Sequence, residues 1–201
     1  TGITITGLKY DLDYKISPNF GLDIPMEQIS KGNGESCVLS TYSSSVINLS
    51  NHLTTSLGIT AQYFTLNKNW TVEPRAALKW TFNPKHALAL AYGLHSRRER
   101  LDYYFVEQEV NGKTESNRYL NFSKAHHFGL TYDWNINSYM HLKVEPYYQY
   151  LFRIPVEENS SFSIINHQSF YLERILKNRG SGVNYGIDIT LEQYMKNGFY
   201  Y

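Results

Sequence analysis

The strongest constraint in this sequence is an alternation of apolar and polar residues sustained over stretches of about 11–14 residues. Over residues 70–82 the even positions are Trp70, Val72, Pro74, Ala76, Leu78, Trp80 and Phe82. The odd positions are Thr71, Glu73, Arg75, Ala77, Lys79 and Thr81. Successive side chains of a strand point to opposite faces, so this stretch has one apolar and one polar face. The pattern returns over 126–136, where Phe128, Leu130, Tyr132 and Trp134 oppose His127, Thr131 and Asp133. Over 140–153, Leu142, Val144, Tyr148 and Phe152 oppose Lys143, Glu145 and Gln149. Over 182–192, Val183, Tyr185, Ile187, Ile189 and Leu191 oppose Asn184, Asp188 and Glu192. Weaker alternation occupies 53–64 and 86–95, and the Ser-rich 38–49 is ambiguous in its facing. Residues 3–16 alternate only if a bulge near Gly7 shifts the phase. The reading is all-β: about eight antiparallel up-and-down strands, with another starting at Phe199.

The connections are asymmetric. Short turns are expected at 50–52, at Asn83-Pro84-Lys85, at Asn137-Ser138 and at Lys196-Asn197-Gly198. Long polar connections are expected over 18–36, 97–118 and 156–180. Alternating the strands up and down puts all the short turns at one rim and the long loops at the other, with a brief Asn67-Lys68-Asn69 turn among the latter. Transmembrane β-barrels are built this way. A soluble sandwich or lipocalin-like barrel satisfies a period of two equally well, with its apolar face turned inward. Three features favour the membrane. The strands exceed the usual 5–6 residues or so of globular proteins and match the roughly 9–11 tilted residues a bilayer requires. The polar face carries charges in mid-strand, as a wet lumen allows. Aromatic residues mark strand ends, as in interfacial girdles.

Composition sharpens the exclusions. Lys plus Arg number 19 against 18 for Asp plus Glu, which lacks the basic excess of a nucleic-acid binder. No run is apolar enough for a membrane-spanning helix. The 18 Tyr, 10 Phe and 3 Trp fit an ordered, strand-rich chain. The single Cys37 forms no internal disulfide. Pro74 and Pro146 each follow a mid-strand Glu and are expected where a missing N–H is tolerated, such as a bulge.

The charged residues Glu73, Arg75, Lys79, Lys143, Glu145, Asp188 and Glu192, with His127 and Gln149, are the lumen-facing candidates. Their expected role is a hydrated wall rather than acid–base chemistry, because no nucleophile or cleft accompanies them. His127 is placed to meet His95 or His141 from a neighbouring strand, and the His spacing does not favour a metal site. Ser96 near a His gives an outer-membrane lipase-type reading as a further alternative. Arg97, Arg98 and Arg100 open the most charged loop, and Tyr103 and Tyr104 follow them; these are the ligand-loop candidates, with Asp102-Tyr103-Tyr104-Phe105 expected as a mixed aromatic and polar surface.

A series of local motifs carries a resemblance. Asn69-Trp70-Thr71-Val72-Glu73-Pro74-Arg75 precedes Ala91-Tyr92-Gly93-Leu94-His95-Ser96 and Asn121-Phe122-Ser123-Lys124-Ala125-His126-His127. Val144-Glu145-Pro146-Tyr147-Tyr148-Gln149-Tyr150-Leu151, Ile154-Pro155-Val156 and Gly180-Ser181-Gly182-Val183-Asn184-Tyr185-Gly186 follow, then Thr190-Leu191-Glu192. In order and spacing this series resembles the C-terminal barrel portion of TonB-dependent outer-membrane receptors of the Bacteroidetes type, over about residues 53–201 and more weakly before them. The resemblance implies a 22-stranded barrel with an N-terminal plug and a TonB-box segment, neither of which lies in these 201 residues. The chain is thus expected to be a fragment, an open curved sheet without signal peptide or cofactor. The implied function is binding and import of a scarce nutrient such as a siderophore, metal complex or glycan. The implied partners are outer-membrane lipid, TonB acting through the plug, and the nutrient ligand, with no nucleic acid. A passive porin or structural barrel remains the alternative.

Overall fold

The computed structural model describes residues 1–17, 25–110, 112–167, 171–195 and 198–200. Eight strands form one antiparallel sheet, curled into a half-barrel. In chain order they are β1 (Gly2–Ile16), β2 (Glu27–Ser50), β3 (Leu53–Phe64), β4 (Asn69–Asn83), β5 (His86–Arg97), β8 (Ser123–Asn137), β9 (Met140–Val156) and β10 (Lys177–Gln193). A separate hairpin, β6 (Glu107–Val110) with β7 (Lys113–Ser116), lies between β5 and β8. Each wall strand pairs with its neighbour in sequence once that hairpin is passed over, and β1 and β10 are the sheet's two edges. The turn read at 196–198 and the strand start at Phe199 fall on or beside residues outside the described set.

Register fixes the two faces. One row across the sheet pairs Leu57, Ala76, Tyr92, Phe128, Tyr148 and Tyr185 in turn. The adjacent row on the opposite face pairs Gly58, Arg75, Gly93, His127, Gln149 and Asn184. The apolar face is uncovered: Tyr185 is 75% exposed, Ile189 66% and Leu90 56%. Leu130, Trp134 and Leu142 are half-buried among their own strand neighbours, and Tyr148 is exposed. No second layer of described residues lies over them.

The hydrophobic core sits instead at the end of the wall that carries the long connections. Phe64, Val38 and Ile154 from the strand ends pack there with Tyr103, Tyr104, Phe105 and Val106 of the 97–118 segment. Ile164, Leu172 and Leu176 of the 156–176 segment join them, as do Leu8, Tyr10, Leu12 and Tyr14 of β1. This corrects the reading of β1. Its register with β2 is continuous through Gly7, and the irregularity lies at Tyr14/Lys15. The apolar phase therefore changes face along an unbroken strand. Ile3 and Ile5 lie on the exposed apolar face, whereas Leu8, Tyr10 and Leu12 turn inward beneath the loop core. Lys9 then pairs with Glu35, and Asp13 with Lys31, on the outer side.

The same geometry corrects the 18–36 loop, because residues 27–36 belong to β2. Their polar character reflects a strand that rises past the apolar band. Phe105 packs so closely over Gly32 that a Cβ there would meet its ring at 2.4 Å. The 156–180 connection likewise ends earlier, at Lys177. Arg153, at φ 54°, and Gly180 form a bulge where the β9–β10 register shifts. That bulge re-aims β9, so Phe152 stacks with His126 on the apolar face while Ile154 enters the core. The prolines occupy no bulge. The β4–β5 ladder stops at Arg75/Gly93, beside Pro74, and the β8–β9 ladder is interrupted opposite Pro146. Each missing donor faces a gap on one side only.

Asn117 joins the two longest connections. It is 1% exposed; its amide donates to the Arg174 carbonyl at 2.8 Å, and its Oδ1 accepts the Leu176 N–H at 2.7 Å. Asn117→Ala leaves both backbone groups without their partner and should cost about 1–3 kcal/mol of local stability. Faster hydrogen exchange at Leu176, with the wall strands unchanged, is the expected result.

Candidate site at the loop-bearing mouth

The polar face sorts its charges into local sets. Glu73, 2% exposed, accepts from Gln62 at 2.7 Å and from Arg75 at 3.1 Å, and the Ser96 hydroxyl also donates to it. The absence of β4–β5 pairing above Pro74 leaves room for this cluster. Lys143 pairs with Glu145 at 2.7 Å, and the Thr131 hydroxyl donates to the same carboxylate at 3.2 Å. His141 lies between Asp133 at 3.1 Å and Glu192 at 3.5 Å, linking three strands. Asn184 donates to Gln149 at 3.2 Å. Lys79 and Asp188 make no ion pair among the described residues. His127 meets His95, with ring centroids 4.4 Å apart, and not His141. No group of three or more potential metal ligands occurs among the described residues. The Ser96 hydroxyl is directed at Glu73 and Thr71, with no imidazole on it.

At the loop-bearing end of this wall lies an open cavity of about 940 Å³. Its floor comes from strand residues His95, Ser96, Ala125, His127 and Leu151. The connections contribute Arg98, Glu99, Arg100, Tyr103, Ile164, Ile165 and His167, and the strand ends add Arg97 and Lys124. Glu99 is buried and accepts the Ser123 hydroxyl at 2.5 Å, with Arg97 at 3.7 Å. Arg100 holds Asp102 through two contacts at 3.0 and 3.1 Å and lies over the Tyr103 ring. Arg98 lies over Phe64 and donates to the Glu99 carbonyl.

No protein-family model and no curated protein matches this chain. The site therefore rests on its own geometry. Of the loop candidates, Arg97, Arg98, Arg100 and Tyr103 line the cavity. Tyr104 does not, and the 102–105 surface is corrected: Tyr103, Tyr104 and Phe105 are all buried. The 97–118 segment folds back into the mouth, so its aromatic residues supply the core. Sequence reading did not single out Lys124, which lines the cavity. Lys124 shares the parity of Phe128 and Leu130, so a period-two count places it on the apolar face, and a bulge such as that at Arg153 is invisible to such a count.

The 157–177 connection is tied by ion pairs. Glu157 meets Arg174 at 2.5 Å, and Glu158 meets Arg179 at 2.7 Å and also Lys177. The Ser160 hydrogen bond, then Arg174, hold the Glu157 carboxyl below the usual carboxylate range; Lys177 does the same for Glu158. A depressed folded-state pKa gives stability that is present above the unfolded value of about 4.3 and is lost as pH falls through the folded value. Amide protection at Glu157 should therefore hold from neutral pH to about 5 and fall only below about 4. Hydrogen exchange, corrected for its intrinsic pH dependence, measures this.

Proposed function

We propose that this chain is part of the barrel wall of a TonB-dependent outer-membrane receptor that binds and imports a scarce nutrient. The observation that carries the reading is the uncovered apolar face between two aromatic girdles. Trp80, Phe82, His86, Tyr132 and Trp134 cluster near the short turns, with neighbouring ring centroids 5.1–5.9 Å apart. Tyr92, His126, Phe128, Tyr150 and Phe152 form the second set nearer the loops. Leu78, Leu90, Leu130 and Ile187 lie between them. On β4, Trp70 and Trp80 bracket ten residues' rise; at about 3.3 Å per residue and a tilt of about 40° this spans about 25 Å, the height of an outer-membrane apolar band.

Further strands, paired to the free edges of β1 and β10, complete a 22-stranded barrel in this reading. The hollow between the walls holds the plug, through which TonB supplies energy from the inner membrane. The loops at the mouth, folded inward over a cavity, select the ligand from outside the cell. The wall carries no bond chemistry. Cross-linking in cells tests the receptor reading against a passive pore. The full-length protein should be captured with TonB from the outer membrane and stay closed in planar bilayers. Steady ion conductance without TonB capture would make it a porin.

A further inference from the structure

The cavity at the mouth is lined by four cationic side chains, Arg97, Arg98, Arg100 and Lys124, and by one carboxylate, Glu99. Glu99 is already engaged by Ser123 and Arg97. The cation that stands out is Lys124. The residue is half-buried, and its ammonium makes no hydrogen bond or ion pair among the described residues. Arg153 is close enough to act on it electrostatically and likewise has no carboxylate within ion-pair distance among the described residues. Glu73, which also acts on it, is held by Arg75, Gln62 and Ser96. Two cations held together, with burial at one of them, are costly unless an anion accompanies them. The rest of the lining mixes polar and apolar groups: His95, His127, His167, Ser96 and Ser123 on one hand, and Leu151, Ile154, Ile164, Ile165 and the Tyr103 ring on the other.

We propose that the mouth cavity binds an organic polyanion, a ligand bearing carboxylate or similar oxyanion groups on an apolar body, with Lys124 as its principal anchor. The anion supplies the charge that Lys124 and Arg153 lack, and the isoleucines and Tyr103 take the body. The location as a nutrient site rests on the receptor reading above; the ligand's charge rests on the cavity alone.

Calorimetry on the full-length protein, purified from the outer membrane in detergent, tests this with two probes of matched shape. Benzene-1,3,5-tricarboxylate should bind, and the uncharged 1,3,5-tris(hydroxymethyl)benzene should not. Lys124→Gln should weaken the tricarboxylate about tenfold or more, and Lys124→Arg should restore it. Higher ionic strength should weaken binding to the unaltered protein, a readout free of any folding defect in a variant. Equal binding of the two probes, no binding of the tricarboxylate, or full affinity in a folded Lys124→Gln protein would overturn the proposal. TonB capture reports separately. A protein captured by TonB that ignores both probes loses the polyanion site and keeps the receptor reading; one that binds the tricarboxylate without TonB capture does the reverse.

Discussion

Leu90→Arg should destabilise the folded wall by about 2–4 kcal/mol, whereas Ala91→Arg should cost less than about 1 kcal/mol. The two residues are adjacent on β5 and have opposite surroundings. Leu90 pairs with Leu78 on β4 and Leu130 on β8, in the aliphatic band between the girdles, and is 56% exposed in the protein alone. In a bilayer that exposure is to hydrocarbon, where a guanidinium is poorly solvated. Ala91 lies between Ala77 and Gly129 and lines the hollow side, where a long charged side chain reaches water. Reversible urea unfolding of the full-length protein in phospholipid vesicles measures the difference. A soluble sheet would give the opposite pattern in buffer, because its exposed face tolerates Arg.

The second large effect is at Tyr104. Its ring is 1% exposed and meets Phe64 edge-on at 5.4 Å, and its hydroxyl accepts the Glu99 N–H at 3.2 Å. Burial pushes the phenol up to about 12, so it stays neutral through the physiological range. Tyr104→Ala removes the centre of the loop core and should cost about 3–5 kcal/mol. Tyr104→Phe keeps the ring contact and leaves one buried N–H unmet, at about 1–3 kcal/mol. The loss is confined to the mouth, since the wall ladders do not pass through Tyr104. Trypsin should then cut between Arg97 and Arg118 in the alanine variant and leave the strands of the wall intact. Resistance equal to that of the unaltered protein would mean that the loops are held from elsewhere.

Those two sites mark where the sequence is legible and where it is not. The wall is legible because one period governs it. Trp70 through Phe82 and Leu142 through Phe152 announce their faces, and the eight strands follow from that alternation. The alternation fails wherever the strand leaves the apolar band. In β1 the apolar residues move from Ile3 and Ile5 on one face to Leu8, Tyr10 and Leu12 on the other, because the loop core covers the inner side of the upper half. A bulge and a change of environment look identical in such a pattern, and here the environment changed. The Arg97–Arg100 cluster was visible as a charged run, and its arginines do line the cavity. The fate of Tyr104 was not visible, because local sequence does not say whether a loop folds outward or back into the mouth. Lys124 was hidden for a related reason: its parity is that of the apolar face, and only the strand ends around Pro74 and Arg153 bring it beside the cavity.

Nitroxide scanning across β5 and β8 is the most direct measurement of which way the apolar face points. With one label at a time at Leu90, Ala91, Leu130 and Thr131 of the full-length protein in vesicles, collision with oxygen dissolved in the lipid should dominate at Leu90 and Leu130. Collision with a water-soluble nickel complex should dominate at Ala91 and Thr131. Access of the nickel complex to Leu90 and Leu130, or no alternation along either strand, would contradict the membrane wall and every functional reading built on it.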